Sequence, residues 1–348
     1  MAQADIEVVL VSQHDSLGAL DAAVQQRRLP YSGEMGYFRN VGALRAILAK
    51  EKPDVLNAHY ASGYGTTARF SGFHPYMLSV WGSDVYDFPT RSLFHRWWLR
   101  RNLMAADKVA STSYAMAEQA RLIAPGLGNI EITPFGVDTG LFSPDGYKKS
   151  TTDATAISIG TVKALAPQYG IDTLIDSVAL LVERLKGEHS KLAKSIRLRL
   201  IGDGPQCAEL KARAEERGIA GIVEFAGRVM HSAVPDELHR LDIYAALSRR
   251  ESFGVAVIEA SACGLPVVVS DAGGLPEVVL TGETGLVVPK EDPEAAADAL
   301  FRLVVDPDLR QRMGKSGRHR AASLYERHDN VKTMIFLYEK IISSKATR

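Results

Sequence analysis

Residues 248–277 read SRRESFGVAVIEASACGLPVVVSDAGGLPE. A strand pattern at 243–247 runs into this stretch, 255–263 carry a helical pattern behind Gly254, and the apolar run 267–270 reads as the next strand. Strand, helix, strand at this spacing is a parallel crossover, because parallel strands can be joined only by a connection of a dozen or more residues. The same alternation continues on both sides. Strand patterns fall at 156–160, 196–202, 222–226 and 286–288, with helical patterns at 171–185, 205–217 and 293–305. An earlier series places strands at 6–12, 55–60, 77–81 and 109–112, with helices at 41–50 and 114–123. Such alternation builds parallel sheets covered by helices on both faces, so the expected fold class is α/β with two Rossmann-like, doubly wound domains.

A chain of 348 residues suits two domains of ordinary size. The pattern breaks at 143–156, where Ser143, Pro144, Asp145 and Gly146 precede the polar run 150–153. This places the domains at 1–148 and 149–328, with 329–348 a C-terminal helix packing back on the first. Ligands of open α/β sheets bind at the carboxyl ends of strands, so functional residues are expected in a cleft where two such domains face each other. Lys plus Arg and Asp plus Glu each number 41, and this neutral balance excludes a general nucleic-acid binder. The hydrophobic share of 46% supplies two cores. Cys207 and Cys263 lie far apart without metal-ligand spacing, no apolar run is long enough for a membrane span, and 1–5 do not read as a signal-peptide start. A cytoplasmic protein is expected. No metal-ligand pattern is present in the sequence, and no cofactor is expected.

The quoted segment carries the chemistry. A helix beginning at Phe253 or Gly254 leaves Glu251 in the preceding loop and holds Glu259 more than a turn deep, so the two acids serve different positions. The free N–H groups at such a helix start suit a phosphate, and Gly254 permits close approach. In the earlier series His59 ends a strand before a glycine loop, in NAHYASGYG, and reads either as a structural histidine or as a catalytic one. Residues 91–105, RSLFHRWWLRRNLMA, mix arginines with aromatics. They read either as a helix resting on an anionic bilayer or as an amphipathic helix with tryptophans in the core and arginines in water.

Segment 248–277 resembles the E-x7-E motif of the retaining glycosyltransferases of family 4, which have the two-domain GT-B fold. TPFGVDTGLF (133–142), LIGDGP (200–205) and GLPEVVLTGETGLVVP (274–289) resemble further family segments, in the family's order. The resemblance implies transfer of a sugar from a nucleoside-diphosphate sugar to a hydroxyl of a glycan or a lipid-linked acceptor. It implies that Glu251 contacts the donor sugar and Glu259 the ribose, while backbone amides of Phe253, Gly254 and Val255 face the diphosphate. Gly160, Thr161 and Arg228 are carried over as further donor-side positions. In GTVKALAPQYG (160–170) Thr161 and Tyr169 stand where the family usually has an arginine and a lysine, which leaves Lys163 as the nearby cation for the phosphate. SVWGSDVYD (79–87) resembles a segment that often carries a histidine where this chain has Trp81. Trp81 then serves as a wall or an indole donor, and Asp84 orients an acceptor hydroxyl or caps the next helix.

Relatives usually begin with a strand, a glycine-rich loop and a helix ahead of the strand that 6–12 resembles. Either the first domain lacks that first strand and helix, or 6–12 is the first strand and 17–28 the helix that follows it. Two other functions fit the residues less well: a non-catalytic nucleotide-sugar-binding or scaffold subunit, and a sugar epimerase of similar fold.

Overall fold

The computed structural model describes residues 6–15, 21–145 and 156–346. The boundary expected at 148/149 and residues 1–5 lie outside the described residues. The chain forms two compact units, Met1–Pro134 with Asp329–Arg348, and Phe135–His328. The division precedes the expected linker because Val137 and Phe142 are buried in the second unit's core, with Phe135 packed against it.

In the first unit, strands β1 (Val8–Ser12) and β2 (Val24–Arg28) pair in parallel as a separate two-stranded sheet. The helix considered for 17–28 is therefore corrected over its described end: 24–28 are strand. Register brings Gln25 beside residue 9, and its side-chain amide donates to Glu7 Oε1 at 2.7 Å, while Arg27 Nε donates to Glu51 Oε1 at 2.8 Å. Strands β3 (Leu56–His59), β4 (Tyr76–Ser79), β5 (Lys108–Ser111) and β6 (Ile130–Ile132) form a four-stranded parallel sheet in that order. Alternation along β4 sends Tyr76 and Leu78 into one core and Met77 to the opposite face. Ile341 of the last helix, Arg327–Ala346, packs with Met77 and Ala110, and Asn57 Nδ2 donates to Tyr338 Oη at 2.7 Å.

The second unit contains β7 (Ile157–Val162), β8 (Ile196–Ile201), β9 (Val223–Gly227), β10 (Ile243–Ala246), β11 (Val267–Ser270) and β12 (Gly285–Val288). They form one parallel sheet in the order β12-β11-β10-β7-β8-β9. Within β10, Ile243 and Ala245 face one core while Tyr244 and Ala246 face the other. Burial on both faces explains why β10 and β11 read as nearly continuous apolar runs, whereas β8, IRLRLI, alternates. The order runs outward from β7 through β8 to β9, then restarts at β10 on β7's other side. The loops after β7 and β10 consequently leave the sheet at its switch point, where open α/β sheets bind ligands. No helix among the described residues is long and apolar enough to cross a membrane.

Candidate active site

Two glycine turns shape the loops at this switch point. A Cβ on Gly202 would lie 1.9 Å from Lys163 O, and one on Gly204 2.4 Å from Leu165 O, so the turn after β8 packs directly on the backbone of 163–165. Gly170 meets Leu247 O just as closely, at 1.9 Å, which brings the loop after β7 against the start of the loop after β10. Arg249 joins them: it donates to both oxygens of Asp172 at 2.9 and 2.7 Å and to Pro167 O at 2.7 Å, while its own amide reaches Gln168 O. The hydrogen bonds to Asp172 raise its pKa further above the usual arginine range. Arg249 holds the two loops in register; nothing in its spacing marked it out from the neighbouring Arg250.

On this frame Lys163 Nζ meets Glu251 Oε2 at 2.5 Å, with side chains only 11% and 14% exposed. Burial opposes the ammonium form of Lys163, yet the charge of Glu251, aided by Tyr244 and Tyr169, holds its pKa above the usual lysine value. Nζ also lies 5.0 Å above the Tyr169 ring, so the tyrosine standing in place of a second lysine steadies the cation. Glu251 is fixed from behind by the DAGG loop. The Gly274 amide donates to Glu251 O at 3.1 Å, and Gly273, at φ +52°, leaves only 1.9 Å between that same oxygen and an added Cβ. Gly273→Ala combines a left-handed backbone with this clash and is expected to cost about 2–4 kcal/mol. Urea unfolding measures it, and an unchanged midpoint would contradict the contact.

The helix Val255–Ala262 begins beyond Gly254, whose φ is +113°. Its first amides lack intrahelical acceptors, as at any helix start. Phe253 contributes backbone alone, because its ring is buried against Phe135 and Tyr325. Glu259 lies buried one turn into the helix and takes a hydrogen bond of 2.8 Å from His231 Nε2. Burial raises the Glu259 pKa, and His231 pulls it partly back. His231 was not read from the sequence; its side chain is 70% exposed, outside any apolar periodicity. Gly160 and Thr161 lie inside β7 rather than in the following loop, both buried. An added Cβ on Gly160 would meet Leu241 at 2.6 Å and Arg199 O at 2.7 Å, so this glycine serves strand packing. Arg228 follows β9 and is exposed.

In the first unit, Asp84 is fully buried and its oxygens accept from the amides of Ala61 (2.7 Å), Trp81 (3.0 Å) and Gly82 (2.8 Å). This corrects the expected capping role. Its oxygens are taken by backbone, it does not cap the helix Ser83–Tyr86, and it ties the loops after β3 and β4 together. Burial raises its pKa despite those amides. His59 ends β3 with an exposed edge and accepts the Trp81 indole N–H on Nδ1 at 3.1 Å, their rings edge to face at 5.5 Å. An indole donor on Nδ1 requires that nitrogen to be unprotonated, so the remaining proton sits on Nε2. Desolvation lowers the His59 pKa below 6.5. A depressed pKa contributes stability above the ordinary value that is lost as pH falls through the folded one. His59→Gln is therefore expected to flatten the decline of the melting temperature between pH 7 and 5; an identical decline in both proteins would contradict it.

The helix Leu93–Ala105 buries Leu99, Asn102 and Leu103. The reading with tryptophans in the core is corrected: Trp97 is 50% exposed, and Trp98 is half-buried with its N–H on Thr66 Oγ1 at 2.9 Å. No group of three or more potential metal ligands gathers among the described residues.

A family model described as Glycosyl transferases group 1 matches residues 146–320, and one described as Glycosyl transferase 4-like matches 1–113. The chain is 31% identical over 219 residues to a GDP-mannose-dependent alpha-(1-6)-phosphatidylinositol monomannoside mannosyltransferase of Mycobacterium tuberculosis, covering 60% of this chain and 54% of that protein. It thus spans about half the length of that relative. It is 30% identical over 283 residues to a D-inositol 3-phosphate glycosyltransferase of Kribbella flavida, covering 76% of this chain and 66% of that one. The structure of sucrose-phosphate synthase from Thermosynechococcus elongatus superposes with a TM-score of 0.82 at 24% identity, over 99% of this chain and 91% of that one. The likeness at that identity establishes the shared GT-B fold.

Proposed function

The chain belongs to the group 1 glycosyl transferases, and from that premise we propose that it is a retaining hexosyltransferase that moves a sugar from a nucleoside diphosphate to a hydroxyl of a glycan or lipid-linked acceptor. One observation carries this reading: Lys163 and Glu251 meet at 2.5 Å at the switch point of the second unit's sheet, ahead of the helix start at Val255. Lys163 and the first amides of that helix hold the diphosphate. Glu251, released from Lys163 when phosphate takes its place, accepts the sugar hydroxyls, and Glu259 accepts those of the ribose. The curated relatives' names, with a GDP-mannose donor in one and phosphatidylinositol or inositol-phosphate acceptors, support a nucleotide-sugar donor and a phosphorylated or lipid-borne acceptor.

The acceptor oxygen attacks the anomeric carbon on the face the diphosphate leaves. The bond from that carbon to the diphosphate oxygen breaks, the new glycosidic bond forms, and the acceptor proton passes to the departing phosphate oxygen. Lys163 neutralises the charge growing there, so the reaction proceeds without a divalent metal or other cofactor. The enzyme works in the cytoplasm, at a membrane's inner face, with the helix Leu93–Ala105 against anionic lipid. The exposed Leu93, Phe94 and Trp97 beside Arg100 and Arg101 support that placement. Product analysis by proton NMR tests the reading: the anomeric configuration of the donor is kept, at a rate unchanged by a chelator. An inverted product or a chelator-sensitive rate contradicts it.

A further inference from the structure

A cavity of about 470 Å3 opens in the first unit. Tyr60, Ser62 and Gly63 line it from the loop after β3, and Ser83, Asp87 and Phe88 from the chain after β4. It lies at the carboxyl ends of parallel strands, where such sheets bind ligands. Its opposite wall is aromatic: Phe38 and Phe94 each contact Trp98, with centroids 5.3 Å (Phe38–Trp98) and 5.7 Å (Phe94–Trp98) apart. These rings are tilted by 52° and 33°, which makes a curved wall and no flat slot for a planar ring.

Polar atoms on the wall are already engaged at several points. Tyr60 Oη and Ser83 Oγ share a bond of 2.6 Å. Thr66 Oγ1 donates to Ser62 O and accepts from Trp98 Nε1 and Asn102 Nδ2. Glu34 and Arg91 pair at the mouth. These bonds take up part of the donor and acceptor capacity that a hydroxyl-rich glycan would use, whereas an aliphatic chain needs none of it and gains apolar contact. The aromatic wall continues to Phe70 and Trp97, where the half-buried Arg69, which also donates to Asn102 Oδ1 at 3.0 Å, stacks on Phe70 and Trp98 at 4.5 and 4.7 Å and the exposed Arg101 on Trp97 at 5.9 Å. Neither arginine has a carboxylate partner among the described residues, which suits a phosphate head group.

We infer that this cavity takes the aliphatic chain of an anionic lipid whose phosphate lies against Arg69 and Arg101. The inference deepens the proposed function by making the acceptor lipid-borne, and it rests on that reading only for the word acceptor.

Calorimetric titration of the full chain with butyl, hexyl and octyl phosphate below their micelle concentrations, and with inorganic phosphate, tests it. The dissociation constant is expected to fall about fourfold per added methylene, the ratio equivalent to ~0.8 kcal/mol. Phe38→Ala with Phe94→Ala, at side chains 43% and 61% exposed, is expected to reduce that to less than twofold. Arg69→Gln is expected to weaken all four phosphates and keep the slope. A dissociation constant independent of chain length overturns the inference, as does tighter binding of maltotetraose than of octyl phosphate. Donor binding, followed in parallel with nucleoside-diphosphate sugars, separates the two ideas. A flat slope with Glu251-dependent donor binding removes the lipid chain and leaves the transferase. A normal slope without donor binding upholds the cavity and removes the transferase.

Discussion

Glu251→Ala is expected to lower kcat/KM about 10^3-fold, equivalent to ~4 kcal/mol of lost transition-state stabilisation. The carboxylate supplies the acceptor for two sugar hydroxyls, each a charge-assisted bond of roughly 1.5–3 kcal/mol. Among the described residues no other carboxylate is paired to Lys163, so none of them substitutes for it. The loss falls mainly on kcat, because the bonds to the sugar tighten as positive charge grows at the anomeric carbon. Removing the partner of a nearly buried lysine is expected to cost a further ~1–3 kcal/mol of stability, below the range for a fully buried pair because Lys163 keeps 11% exposure and can turn to solvent. Circular dichroism at 25 °C should show the fold retained. Near-normal turnover in a folded Glu251→Ala protein would refute its contact with the donor.

Lys163→Ala is expected to lower kcat about 10^2–10^3-fold and to weaken binding of the nucleoside diphosphate product, since one developing oxyanion loses its only neighbouring side-chain cation on this loop. Lys163→Arg is expected to rescue only in part, because the longer, planar guanidinium carries its charge beyond the point where the compact ammonium now sits 2.5 Å from Glu251 Oε2. With the two groups 2.5 Å apart, the double variant with Glu251→Ala should fall far short of the summed single effects. Strict additivity would mean that the residues act independently.

The parallel strands and long helices were legible because burial on both faces makes β10 and β11 apolar runs, because β8 alternates, and because Ile171–Leu185 and Pro293–Val305 keep helical periodicity throughout. What escaped has local causes. β2 is VQQRR, whose apolar content is one residue and whose pairing depends on contacts with Glu7 and Glu51. β6 is three residues long, too short for any period. In the site, Glu251, Glu259 and the helix start were visible as spacing, while Arg249 and His231 act through partners distant in sequence, Asp172 and Glu259. Asp84 shows the opposite failure: its sequence suggests an acceptor contact or a helix cap, and only the three amides around it reveal that it ties two loops together.

The central claim is that the loops after β7 and β10 form a nucleoside-diphosphate-sugar site centred on Lys163 and Glu251. Isothermal titration of the wild type, Lys163→Ala and Glu251→Ala with nucleoside diphosphates and their hexose conjugates tests it directly. One nucleotide family should bind the wild type with one-to-one stoichiometry. Lys163→Ala should weaken the diphosphate and its conjugate alike, and Glu251→Ala should weaken the sugar conjugate selectively. Equal affinities across the three proteins, or heat from none of the nucleotides, would contradict it.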